Sequence, residues 1–135
     1  MKKILITVLI LLNSSLSFAQ AIVFTGIPSV KVTEAGVERV VAELDRAAAV
    51  GLSCVIAEQN GNFYWKSRGN KQMLKRDAGA FVTFIAVDGA GYVRIIKPDF
   101  KEAVVISMTQ TEKKFNYVEH LTTGLRSVTY YGNFP

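Results

Sequence analysis

The chain is poor in the residues that build metal centres and covalent scaffolds: its 135 residues hold one cysteine and one histidine. A lone cysteine excludes an internal disulfide framework. With a lone histidine it also excludes zinc-finger and multi-histidine metal sites, and nothing suggests a cofactor. Proline occurs three times, and there is no proline-rich linker, internal repeat or low-complexity run. The motifs of common catalysts are missing too. There is no Gly-x-Ser-x-Gly elbow, phosphate-binding P-loop or calcium loop, and Gly89-Ala90-Gly91 lacks the third glycine and following helix of a dinucleotide loop. No apolar run reaches the roughly 20 residues needed to cross a hydrocarbon core about 30 Å thick.

What is present describes one small globular domain. Half of the residues are apolar and 20% are charged, which is too apolar a balance for a disordered chain. The N-terminus follows the order of a cleavable secretory signal. Lys2 and Lys3 precede the apolar run Ile4 to Leu12, a mostly polar stretch follows, and the small residues Ser17-Phe18-Ala19 or Ala19-Gln20-Ala21 suit signal peptidase. Residues 1–19 are therefore expected to be a leader removed near Ala19 or Ala21, and residues 20–135 a single mature domain, periplasmic or secreted. No cysteine stands at the cleavage point to carry a lipid anchor, and no transmembrane segment is expected in the mature chain. Without Lys2 and Lys3 the net charge falls from +5 to +3, too small a surplus to single out nucleic acid as a partner.

Along the mature chain, Ile22 to Val32 alternates apolar residues around Gly26 and Pro28. It reads as an edge strand or extended arm, because proline cannot donate to a central ladder. Val37, Val40, Val41, Leu44 and Ala48 recur at helical spacing, with Thr33 as a cap and Gly51 as a stop. This predicts a helix from about Glu34 to Val50. Three hairpins follow: Leu52–Glu58 with Phe63–Arg68 across Asn60-Gly61, Ala80–Val87 with Tyr92–Lys97, and Phe115–Leu121 with Leu125–Tyr131 across Thr122-Thr123-Gly124. The last loop would place His120 opposite Arg126, Phe115 opposite Tyr131 and Tyr117 opposite Thr129. Phe100 to Met108 fits a helix or a strand equally well. The expected fold is α+β, one N-terminal helix on an antiparallel sheet of three hairpins. Cystatin-like folds share that outline, by analogy of layout alone.

Three features carry candidate chemistry. His120 is the only imidazole, and Glu119 beside it looks like a dyad; on a strand, neighbouring side chains point to opposite faces and the pair diverges. Cys54, flanked by Leu52, Val55 and Ile56, reads as a buried thiol, with an intermolecular disulfide as the sharper alternative. The richest surface signal is Tyr64, Lys66, Arg68, Lys71, Lys75 and Arg76, aromatic and basic groups suited to an anionic glycan or lipid. Its plain counterpart is that Phe63 and Trp65 belong to the core while the cations solvate a connecting loop. The tyrosines of the final hairpin serve either sheet packing or a partner surface.

Phe63-Tyr64-Trp65-Lys66-Ser67-Arg68, Gly79-Ala80-Phe81-Val82-Thr83-Phe84, Gly91-Tyr92-Val93-Arg94-Ile95, Tyr117-Val118-Glu119-His120-Leu121 and Ser127-Val128-Thr129-Tyr130-Tyr131-Gly132 resemble segments of small exported uncharacterised proteins of Gram-negative bacteria. The resemblance implies export and a bacterial source and carries no activity or site residues. No residue pattern specifies an activity. The expectation is an exported binding or interaction module for an anionic envelope component or an envelope protein. The alternatives are a small hydrolase-like enzyme using His120 or a carboxylate, and a structural protein dimerising through Cys54.

Overall fold

The computed structural model describes residues 19–100 and 114–134. The predicted leader lies outside the described residues except for Ala19, and so does most of the ambiguous stretch Phe100 to Met108. The described chain is nearly all sheet, which corrects the α+β expectation. Its strands are β1 (Ala21–Ala35), β2 (Glu38–Glu43), β3 (Cys54–Gln59), β4 (Asn62–Trp65), β5 (Lys71–Ala78), β6 (Phe81–Ala86), β7 (Gly91–Ile96), β8 (Tyr117–Thr123) and β9 (Arg126–Asn133). One short helix, α1 (Arg46–Gly51), precedes β3, and a 3-10 turn, Lys66–Arg68, follows β4.

The predicted long helix does not form. Gly36, at φ +62°, and Val37 make a two-residue loop between the paired Ala35 and Glu38, and glycine at the first loop position is the mark of a type II′ hairpin. Thr33, read as a helix cap, pairs instead with Val40, and Val32 pairs with Val41. Valine and threonine branch at Cβ, lose rotamer freedom in helices and fit strands, so local stiffness outweighs the helical spacing of the apolar residues. Only the last part stays helical, and its cap is Asp45, whose side chain accepts the N–H of Ala48 at 2.8 Å.

Strands β3 to β9 form an antiparallel meander, each pairing with the next. β1 closes it. Its first part, Ala21 to Gly26, pairs with β3, and its second part, Ile27 to Ala35, pairs with β9. The result is an eight-stranded closed barrel, with β2 attached to β1 outside the ring. β1 is thus the closing strand rather than an edge. Pro28 is accommodated because the register with β9 shifts between Pro28 and Val30, and bulges are where a strand tolerates proline. The same shift changes which side of the sheet is buried. Phe24, Gly26 and Pro28 face the interior, whereas Val30 and Val32 pack with Phe115 and Tyr131 in a separate cluster on the outer side.

The hairpins predicted around Asn60-Gly61 and Asp88-Gly89 are present. Asn60 and Gly61 take φ of 53° and 81°, both positive as a type I′ loop requires. The third hairpin exists in a different register. Its loop is Gly124-Leu125, so His120 pairs with Thr129, Tyr117 with Gly132 and Glu119 with Tyr130. The rings of Phe115 and Tyr131 still meet, at 5.6 Å, but Tyr131 pairs in the ladder with Val118. The basic stretch read as a connecting loop is β5, held between β4 and β6 with Met73 buried. No helix among the described residues is long and apolar enough to cross a membrane.

Candidate ligand-binding site

An eight-stranded barrel is just wide enough either to fill itself with side chains or to hold one small ligand. Here the two ends differ. At one end Glu119, from β8, points into the barrel and is fully buried. Its carboxylate accepts the Trp65 indole N–H at 2.7 Å and two guanidinium hydrogen bonds from Arg68, at 2.7 and 3.2 Å. Arg68 also donates to the Leu52 carbonyl at 3.2 Å and lies 5.2 Å from the centre of the Tyr130 ring. Burial alone would weaken the Arg68 charge, but its hydrogen bonds to Glu119 and the Glu119 charge outweigh this and raise its pKa. The forked guanidinium matches a carboxylate in shape, which makes this pair a plug that consumes its own polarity.

Above the plug lies Tyr117. A Cβ on Gly26 would fall 2.5 Å from its ring, and one on Gly132 would fall 2.7 Å from it, so both glycines make room for the tyrosine. Among the described residues the buried Tyr117 hydroxyl has no hydrogen-bond partner. Cys54 is fully buried beside it; burial first, then the Glu119 charge, pushes its thiol pKa far up. A thiol so placed is neither a nucleophile nor available for a disulfide without opening the barrel.

Among the described residues the opposite end is open. Phe24, Phe63, Val82, Phe84, Ile95 and Phe134 wall a pocket of about 540 Å³. The Phe24 ring meets Tyr117 edge-on at 5.4 Å and Phe134 at 5.5 Å, while Phe63 meets Phe84 at 5.2 Å. The rim carries Lys75, Lys97 and Glu58. Lys97 pairs with Asp77 at 3.1 Å, and Glu58 accepts the Gly61 N–H at 2.9 Å. The Lys75 ammonium stands 5.6 Å over the Phe63 ring.

The six aromatic and basic residues picked out from the sequence do not share one surface. Arg68 is turned inward on the plug. Lys71 pairs with Asp88 at 2.6 Å near the plugged end, and Lys75 joins the open mouth. Lys66 and Arg76 are exposed, and Tyr64 is half-buried on the outer side of β4, opposite in direction to Phe63 and Trp65. His120 also faces outward, stacked on Tyr92 at 5.3 Å and bonded to the hydroxyls of Thr129 and Thr122, at 2.9 and 3.2 Å. It therefore diverges from Glu119, as the strand geometry requires. Of the tyrosines of the final hairpin, Tyr117 and Tyr130 are interior, and Tyr131 is half-buried in the outer cluster.

Sequence reasoning missed the pocket walls and the plug. Trp65 and Arg68 were visible as part of an aromatic and basic run, but their shared partner Glu119 lies more than fifty residues away. Compared with known protein families, curated proteins and solved structures, the chain matches none.

Proposed function

We propose that the protein is a small exported binding module whose barrel takes up one small apolar molecule through its open mouth. The observation that carries the reading is the pocket of about 540 Å³ walled by aromatic and aliphatic side chains at the end opposite the plug. That volume is within the usual range for a single small ligand, and an apolar wall with few polar groups is the usual composition of such sites. Transferring apolar surface from water into the pocket supplies the driving force, roughly 25 cal/mol per Å² buried. The plugged end makes the barrel a cup rather than a channel. Export is the part of this reading that rests on the N-terminal signal pattern alone.

The test is titration of the mature domain with a neutral apolar fluorophore such as N-phenyl-1-naphthylamine, followed by Ile95→Trp, which fills the pocket. Saturable one-to-one binding abolished by Ile95→Trp in a variant that still folds supports the reading. Absence of binding to the folded domain, or binding indifferent to Ile95→Trp, overturns it.

A further inference from the structure

Resting on the pocket reading, we infer that the ligand is an amphiphile with an acid headgroup, bound tail inward with its anion at Lys75. The deep wall of the pocket is made by apolar side chains, and the buried charges of Glu119 and Arg68 lie at the far end of the barrel, beyond Phe24 and Tyr117. A charged group pushed into that wall would lose its hydration without a partner, a penalty of several kcal/mol. The polar part of a ligand must therefore stay at the rim.

The rim selects its sign. Of its charged groups, Lys97 is neutralised by Asp77, while Glu58 keeps its negative charge, one oxygen accepting the Gly61 N–H, on β3 with β4 between it and the strand of Lys75. Among the described residues Lys75 has no ion pair, and its ammonium stands 5.6 Å over the Phe63 ring. Phe63 is itself part of the pocket wall. One side chain thus ties the unpaired cation to the apolar interior, and an acid headgroup placed there gains a charge-assisted hydrogen bond while its tail lies on aromatic surface.

Dodecanoate and its uncharged counterpart dodecanol, each displacing the neutral fluorophore, separate the headgroup from the tail. Wild type should prefer dodecanoate about tenfold, the scale of one hydrogen bond to a charged group. Lys75→Met, which keeps an apolar stem, should remove that preference and leave dodecanol unchanged. Added salt should weaken dodecanoate alone, since a rim charge is screened. Equal affinity for acid and alcohol in wild type, or equal weakening of both by Lys75→Met, overturns the assignment of the headgroup while leaving the pocket standing. Failure of both ligands and of the fluorophore overturns the pocket reading itself.

Discussion

The two ends of the barrel solve opposite problems with the same strands. At the plugged end a buried carboxylate and indole N–H meet a partly buried guanidinium, and the three satisfy one another. At the open end the interior is apolar and the charges stay at the rim. The comparison shows where a small barrel spends its specificity. Buried charges must be matched in geometry, so the plug defines one arrangement. Apolar walls make no such demand and can accept a guest in place of protein side chains.

The largest effect should come from breaking the plug. Arg68→Leu leaves Glu119 buried without its cation, and removal of one partner of a buried pair costs about 3–5 kcal/mol. Denaturant melts should show that loss, and Arg68→Leu/Glu119→Gln should recover much of it because the amide still accepts from Trp65. A single variant as stable as wild type would show that water already shares the plug.

Gly26→Ala tests the layer between the two ends. Its added Cβ meets the Tyr117 ring at 2.5 Å, and overpacking of this kind costs about 1–3 kcal/mol. Gly26→Ala/Tyr117→Leu should lose less than the sum of its single changes in a double-mutant cycle, and strict additivity would separate the two residues. Fluorophore binding per folded molecule should weaken as well, because the same Cβ would lie 2.9 Å from the ring of Phe24, which walls the pocket.

The mildest perturbation is alkaline pH. Burial is the first cause raising Cys54, Tyr117 and Tyr130. A group whose folded pKa is raised contributes stability fully below its unfolded value and loses it as pH rises beyond. Stability should therefore decline progressively above about pH 9, the ordinary thiol value being 9.0 and the phenol value 10.0. Cys54→Ala should delay the onset, and a stability profile flat to pH 11 would contradict the burial of these groups.

The legible and illegible parts of the fold divide by range. The Asn60-Gly61 and Asp88-Gly89 hairpins were readable because turn chemistry acts within four residues. The final hairpin was found in the wrong register, since Thr122 to Leu125 offers more than one place for the loop and only the pairing of Glu119 with Tyr130 decides among them. The segment from Glu34 to Val50 misled because its apolar residues recur at helical spacing, whereas Val37 stands exposed in the loop and Val40 and Val41 point to opposite faces of β2. In the hairpin they pair with β1, whose other edge is held by β9 almost a hundred residues later. β1 itself alternates through Val32 as if it had one inward face, and the shift after Pro28 divides that pattern between two clusters.

For the site, the sequence marked Arg68 and Lys75 as members of one basic run. It could not show that the barrel turns Arg68 toward a buried carboxylate and Lys75 toward an apolar mouth. By itself the sequence determined the short hairpins at Asn60-Gly61 and Asp88-Gly89 and the burial of Cys54, all consequences of neighbouring residues. Closure of β1 onto β3 and β9, and with it the plug and the pocket, was decided by the tertiary structure. Those features depend on contacts between residues far apart in the chain, and a barrel has no interior until its first and last strands meet.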